Sequence, residues 1–142
     1  MEFAANLVLA LHLFSLALGT GSGVANSAIG QLYGTSSAEQ RSVLFKLAAG
    51  LGRNGQIAIG LLWVTGIALI FMKGYNLMEM PVMFWIKIVF VIILSGASGM
   101  ASAAARRFAN GDMAASTRAA MFGTVAGVSS VVVILCAVFA FS

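Results

Sequence analysis

The sequence predicts an all-α protein: an integral membrane bundle of four transmembrane helices. Of its 142 residues, 61% are hydrophobic and only 8% are charged, and the mean hydropathy is +1.01. A soluble domain carries about a quarter charged residues. The few charges separate four long apolar runs, each close to the roughly 20 residues that cross a bilayer. Such a chain cannot cover a surface that faces water, so lipid is its expected main solvent.

The four spans are predicted at about residues 3–29, 54–72, 81–105 and 119–141. The first run contains no charged residue, and the second is bracketed by Arg53 and Lys73. The third is interrupted only by Lys87, and the fourth follows Arg118. No linker divides the chain, so residues 1–142 are expected to form a single domain.

Short signals between the spans mark where helices begin and end. Ser36 and Glu39 have the spacing of a capping box. The segment that they open is apolar on one face and basic on the other, which predicts a cytoplasmic amphipathic lead-in helix before the second span. Gly74 should end the second helix, Pro81 suits the first turn of the third, and residues 110–112 should separate the third from the fourth.

The basic residues are distributed unevenly along the chain. The loop between spans two and three has only Lys73, whereas the other two loops have six basic residues: Arg41, Lys46, Arg53, Arg106, Arg107 and Arg118. By the positive-inside rule, both basic loops should be cytoplasmic and both termini outside. This placement accounts for the pI of about 9.9. The lipid bilayer, and not a nucleic acid, is therefore the expected partner.

His12 is the only histidine and lies within the first span. At 100° per residue it shares one stripe with small or polar residues: Ser15, Gly19, Ser22 and Asn26. This face should point into the bundle. An ionisable group at this depth suggests a function, because a neutral imidazole can ligate haem iron or copper, or relay a proton. The alternative is a structural histidine that is hydrogen-bonded to a neighbouring helix.

Lys87 is the only charged residue inside an apolar span. It shares a face of the third helix with Val91, Ser95, Ser98 and Ser102, so it too is expected to point inward. The predicted orientation places His12 and Lys87 in the outer half of the membrane, near the level of Thr65 and Gly66. The alternative is a lysine near a helix end that extends to the membrane interface.

Methionines cluster before and at the start of the third span. Met78, Met80 and Met83 follow Met72 within twelve residues, on the predicted outer side. Thioether sulfur is a soft ligand that suits Cu(I), so three such groups could bind one ion. The alternative is that methionine packs adaptably at a membrane interface. Cys136 is the only cysteine, so no disulfide can form within one chain.

Small residues recur at the spacing that lets membrane helices approach closely. Gly19 and Gly23 are four residues apart, as are Gly123 and Gly127. Such pairs indicate either tight packing inside one bundle or a face that binds another chain. A homodimer or a larger membrane complex is therefore among the expected assemblies.

Three short segments are similar to a known group of proteins. They are Leu11–Leu13 around the histidine, the Ala38–Arg41 lead-in to a span that contains Thr65-Gly66, and Phe84–Lys87 at the start of the third span. Together they resemble small four-helix bacterial membrane proteins related to the HemJ-type protoporphyrinogen oxidases and the CopD-type copper-resistance domain. The resemblance implies a bacterial inner membrane protein that binds haem b, with His12 and Lys87 as its functional residues.

Three functional hypotheses follow. In the first, the chain is a haem- or tetrapyrrole-associated protein, a divergent HemJ-like oxidoreductase in which His12 is an axial ligand or proton relay. Lys87 would then pair with a propionate or substrate carboxylate. In the second, Met78, Met80 and Met83 collect Cu(I) and pass it to His12. In the third, the chain is a non-catalytic accessory subunit of a larger membrane complex.

Overall fold

The computed structural model describes residues 1–112 and 114–140 and is all-α in architecture. Its long helices are α1 (Glu2–Tyr33), α2 (Ala38–Lys73), α3 (Val82–Ala109) and α4 (Ala115–Ala140). A 3₁₀ turn at Leu77–Glu79 lies between α2 and α3. Each long helix is apolar and long enough to cross a membrane. The predicted fold class is therefore confirmed. The last residue predicted for span four, residue 141, is outside the described residues.

Large apolar side chains lie on the outside of the bundle, and small or polar ones lie inside. Phe14, Phe71 and Val128 are 64%, 80% and 60% exposed, whereas Ala58 and Ser15 are completely buried. In water, this arrangement would expose an apolar surface far larger than a soluble monomer tolerates. The inverted distribution is the one that a lipid solvent favours, because lipid gives large apolar side chains no reason to turn inward.

The four helices form two antiparallel hairpins. The closest packing occurs within each hairpin, between α1 and α2 and between α3 and α4. The hairpins meet more sparsely, through α1 with α4 and α2 with α3. As a result, the helix segments that carry the six basic residues lie together at one end of the bundle. Tyr33 and Phe108 make an edge-to-face ring contact there, with centroids 6.2 Å apart.

Gly19 is where α1 and α2 approach most closely. A Cβ atom at Gly19 would lie 3.3 Å from the Cβ of Ala58, so a larger residue would press against α2. Gly23, Gly123 and Gly127 have no such neighbour within 4 Å. Tight packing within the bundle therefore explains Gly19 alone among these four glycines.

The predicted lead-in is not a separate helix. It is the beginning of α2, which continues without a break from Ala38 to Lys73. The capping box is also one residue later than predicted. Ser37, not Ser36, is the N-cap, and it exchanges hydrogen bonds with Gln40. Ser36 instead donates to the carbonyl of Leu32 at the end of α1.

The remaining helix ends agree with the sequence. Gly74 ends α2 with a left-handed conformation, φ 63°, which a glycine adopts without steric cost. Pro81 is the N-cap of α3, and Asn110 is its C-cap. The Asp112 carboxylate accepts a hydrogen bond from the amide of Ala114 just before α4.

Candidate functional site

The central feature of the site is a hydrogen bond between α1 and α2. His12 Nδ1 lies 2.7 Å from Thr65 Oγ1. The Thr65 hydroxyl is also 2.6 Å from the carbonyl oxygen of Leu61, which can only accept, so the hydroxyl proton points there. With the proton on that bond, His12 donates through Nδ1. Its other nitrogen, Nε2, then carries an unprotonated lone pair that can bind a metal or accept a proton.

Residues adjacent to this hydrogen bond fix the imidazole against α2. Thr65 is buried, and Gly66 beside it leaves room for the ring: a Cβ there would be 3.4 Å from His12 Cε1. Ser15, one turn after His12, is fully buried and donates to the carbonyl of Leu11. The predicted inward stripe of α1 is thus confirmed, and its histidine is half-buried.

Lys87 joins this level of the bundle from α3. It is partly buried and lies within electrostatic range of both His12 and Cys136. Cys136 is itself buried on α4. All four helices therefore contribute a side chain near one level: His12, Thr65, Lys87 and Cys136. The predicted proximity of His12 and Lys87 agrees with this arrangement.

Polar side chains connect the two hairpins between the level of His12 and the end of the bundle that carries the six basic residues. Trp63 Nε1 donates to Ser95 Oγ at 3.0 Å, and Gln56 Nε2 donates to Ser98 Oγ at 2.8 Å. Thr20 and Ser130 connect α1 and α4 at 3.3 Å. Interhelical hydrogen bonds in membranes contribute about 0.6 kcal/mol each on average. They position α3 relative to α2, and with it Lys87 relative to His12.

Asn26 is the last residue of the inward stripe on α1, on the side farthest from His12. Its Oδ1 atom is buried and has no hydrogen-bond partner among the described residues. A buried acceptor without a partner costs about 1–3 kcal/mol. Its neighbours on the stripe, Ser22 and Gly19, are small and do not supply a donor at this position.

The three predicted methionine ligands lie apart from the histidine in the chain connection and on α3. Met78 belongs to the 3₁₀ turn and is 94% exposed, whereas Met80 is half-buried. Met83 is exposed in the first turn of α3. The Asn76 side chain caps the turn by accepting from the Met78 amide. The connection lies at the same end of the bundle as His12, as the copper hypothesis requires.

Metal-binding side chains other than methionine are sparse. Within residues 1–112 and 114–140, no three histidine, cysteine, aspartate or glutamate side chains lie close enough together to hold an ion. A metal ion with three or more protein ligands at His12 would thus need at least one ligand of another type. Two surface grooves are lined by other residues. One of about 690 Å³ is between the end of α1 and the start of α2, and one of about 500 Å³ follows Leu7 to Phe14.

Two residues of the site were not identified as candidates from the sequence. Thr65 was placed only near the correct level, because the sequence does not tell which hydroxyl of α2 turns toward α1. Cys136 was considered from the sequence only for the disulfide that it cannot form within one chain. Its signal was its position: an inward polarisable side chain on the only helix that had no other candidate at this level.

Comparisons with protein-family models, with curated proteins and with solved structures find no match to this chain.

Proposed function

We propose that this chain is a tetrapyrrole-binding protein of the bacterial inner membrane in which His12 and Lys87 hold haem b. One observation carries the proposal. His12 Nδ1 lies 2.7 Å from the Thr65 hydroxyl, and with the hydroxyl proton on the Leu61 carbonyl this contact leaves Nε2 as a neutral, oriented ligand. Histidines that ligate metals usually have their second ring nitrogen held in this way, because the hydrogen bond fixes the tautomer and the orientation of the ring.

The donor set fits haem by its chemistry. An imidazole nitrogen is a common axial ligand of haem iron. The lysine ammonium is a compact cation that suits a propionate carboxylate. His12 and Lys87 come from different helices, so one ligand that carries both a metal and a carboxylate would connect α1 to α3. Because His12 is only half-buried, such an apolar ligand can reach it from the lipid.

Bound haem would supply a redox-active iron, which makes a divergent HemJ-like oxidoreductase the corresponding enzyme. The residues would have separate roles in that activity. His12 Nε2 binds the iron or, with a porphyrinogen substrate, accepts a proton. Thr65 holds the tautomer that keeps Nε2 unprotonated. Lys87 binds a carboxylate and so orients the macrocycle.

An absorption spectrum tests the proposal. The full-length protein is purified in mild detergent, incubated with haem and recorded before and after dithionite. We expect a Soret band that shifts on reduction in the wild type and is lost in His12→Ala. A featureless wild-type spectrum from folded protein, with haem added, would refute the proposal.

Copper handling is the second candidate function. The observation that favours it is the nearly complete exposure of Met78 at the end of the bundle that contains His12. An exposed thioether there is positioned to collect Cu(I), with Met80 and Met83 as further ligands and His12 as the recipient inside the membrane.

An accessory role in a homodimer or a larger complex is the third candidate. Gly123 and Gly127 lie on an exposed face of α4 and have no neighbour within 4 Å. A glycine pair at this spacing lets another membrane helix approach closely. For topology, we propose a multi-pass protein with both termini outside and the basic end in the cytoplasm.

A further inference from the structure

The entire formal net charge of the protein lies at one end of the bundle. Residues 34–53 and 106–118 contain six basic and two acidic residues, whereas the rest of the chain has two of each. The net charge of +4 therefore belongs to this end. We name it the basic end and define it by its six basic residues: Arg41, Lys46, Arg53, Arg106, Arg107 and Arg118. All six side chains are exposed.

Ring contacts bring the basic residues of different helices together. Phe108 of α3 contacts Tyr33 of α1, and its centroid is also 6.5 Å from that of Phe45 in α2. Arg107 immediately precedes Phe108, and Lys46 immediately follows Phe45. The helix segments that carry these two cations, 61 residues apart in sequence, therefore meet at one aromatic cluster.

Some of these charges already have a structural role within the chain. Arg41 donates to the carbonyls of Tyr33 and Gly34, and its guanidinium carbon lies 5.3 Å from the centre of the Tyr33 ring. Arg41 therefore holds the end of α1 against the start of α2. Arg106 donates one bond, through Nε to the carbonyl of Ser102. This bond does not use the Nη groups of Arg106, and the side chain is exposed.

Acidic residues at the basic end do little to offset this charge. Glu39 is in the first turn of α2, where a carboxylate favours the helix dipole, and Asp112 accepts from the Ala114 amide before α4. The four helices are apolar and long enough to cross a membrane, and charged side chains avoid the hydrocarbon, so the basic end is expected at the depth of the lipid headgroups.

We propose that the basic end binds the headgroup phosphate of anionic phospholipids, with Arg106 and Arg107 of α3 as its main contacts and Lys46 and Arg53 of α2 beside them. Charge complementarity identifies the occupant: exposed cations on neighbouring helices lie at headgroup depth with little opposing charge. Guanidinium groups bind phosphate oxygens with two parallel hydrogen bonds. The surrounding Tyr33, Phe45 and Phe108 rings suit the apolar region just below the headgroup.

Lipid nanodiscs test this proposal. The full-length protein is purified, and its binding of phosphatidylglycerol and phosphatidylcholine is measured by native mass spectrometry and by thermal stability in nanodiscs of each lipid. We expect preferential binding of phosphatidylglycerol that weakens as ionic strength rises. Equal binding of both lipids would overturn the proposal.

Variants locate the site. In the double variant R106Q/R107Q, binding of phosphatidylglycerol should fall by about fivefold per cation removed, and R106K/R107K should recover much of it. Lys73→Gln removes a cation at the opposite end and is the matched control. If R106Q/R107Q behaves like Lys73→Gln while its helical content is unchanged, the site is not at the basic end. Displacement of the lipid by soluble glycerol phosphate at equal concentration would mean a site for free phosphate and would also contradict the proposal.

Discussion

At the scale of single residues, His12 has a different role for each of its ring nitrogens. Nδ1 is committed to Thr65, and Thr65 in turn is committed to the Leu61 carbonyl. With the Thr65 proton on that carbonyl, Nδ1 is the donor of the pair, and Nε2 is the nitrogen without a hydrogen-bond partner in this arrangement of α1 and α2. Chemistry at His12 is therefore expected at Nε2.

Thr65→Val tests the role of the hydroxyl. The substitution keeps the shape of the side chain but removes the acceptor of the Nδ1 proton, so the tautomer and ring orientation are no longer fixed. Loss of such a supporting partner typically lowers metal affinity about 10- to 100-fold. We expect a loss of this size in haem titrations in detergent.

A matched control for this substitution is available on α4. Thr124 also donates to the carbonyl four residues earlier, but its side chain is exposed and contacts no histidine. Thr124→Val should leave haem affinity unchanged. Equal affinities for Thr65→Val and Thr124→Val would show that the hydroxyl does not support the ligand.

Lys87 is tested with a ligand that lacks the carboxylate. Lys87→Met should weaken binding of a porphyrin dicarboxylate by about tenfold, the amount expected for one lost contact to a charged group. Binding of the corresponding dimethyl ester should be the same in Lys87→Met and wild type. Lys73→Met, outside the site, is the control. If ester and acid respond equally to Lys87→Met, the lysine does not contact a carboxylate.

At the scale of helices and connections, the sequence predicted most of the fold because the signals were local. Runs of apolar residues gave four spans, and Gly74 and Pro81 marked the ends of helices. The capping register was wrong for a physical reason. Ser36 with Glu39 and Ser37 with Gln40 both fit the capping-box pattern, and the choice between them depends on where α1 ends. At the end of α1, the Ser36 hydroxyl donates to the Leu32 carbonyl, so Ser36 is not the N-cap of α2.

The site was less predictable than the fold. The 100° periodicity placed His12 and Ser15 on the inward face of α1. This prediction needs the sequence of one helix only. The His12–Thr65 pair depends on the rotation of α2 about its own axis, and apolar residues cover most of that helix. Trp63 illustrates the same difficulty. It donates to Ser95 between the hairpins, a contact that depends on the rotations of both α2 and α3.

The α1–α2 packing is tested at Gly19. Gly19→Leu forces a side chain against Ala58 at the closest approach of the two helices. We expect a loss of stability of about 1–3 kcal/mol, typical of overpacking, seen as a lower thermal unfolding midpoint in detergent. A Cβ atom at Gly123 would have no neighbour within 4 Å, so Gly123→Leu should leave that midpoint unchanged.

Gly123→Leu also tests the accessory-subunit hypothesis. If α4 binds a second helix through Gly123 and Gly127, the leucine should reduce the size of the assembly in size-exclusion chromatography with light scattering. If both the size of the assembly and the unfolding midpoint are unchanged, this face of α4 does not bind a second helix. Gly19→Leu is the comparison for effects that arise only from destabilisation.

The copper hypothesis belongs to the connection between α2 and α3. Replacing Met78, Met80 and Met83 with leucine removes the soft sulfur ligands and keeps the apolar volume. Under this hypothesis, cells that express the triple variant should tolerate less copper than cells with the wild type, while haem binding stays intact. Met100→Leu and Met121→Leu, exposed on α3 and α4, are the controls. Unchanged copper tolerance in the triple variant would exclude the cluster as a copper site.

At the scale of the whole molecule, two features of the bundle stand together: small or polar side chains lie inside, and the net charge is concentrated at one end. Large apolar residues face outward, and the polar seam between the hairpins contains Gln56, Trp63 and Thr20. The His12 level lies toward one end of the bundle, and the net charge lies at the other. The proposed orientation therefore places haem in the outer half of the membrane.

Cysteine labelling tests this orientation in intact cells. Asn76→Cys lies in the connection between α2 and α3, and Asn110→Cys lies between α3 and α4. A membrane-impermeant maleimide should label Asn76→Cys in intact spheroplasts and Asn110→Cys only after lysis. The native Cys136 is buried, and Cys136→Ser gives a clean background. The reverse pattern of labelling would invert the topology.

The central claim is that His12 Nε2 ligates the iron of haem b, and rescue with free imidazole tests it most directly. His12→Gly removes the ring beside Gly66, where a soluble imidazole can take its place. After haem is added to each protein, we expect a Soret band in the wild type, its loss in His12→Gly, and its return when imidazole is supplied. A wild-type band that persists in His12→Gly without imidazole would show that another group holds the iron and would contradict the account.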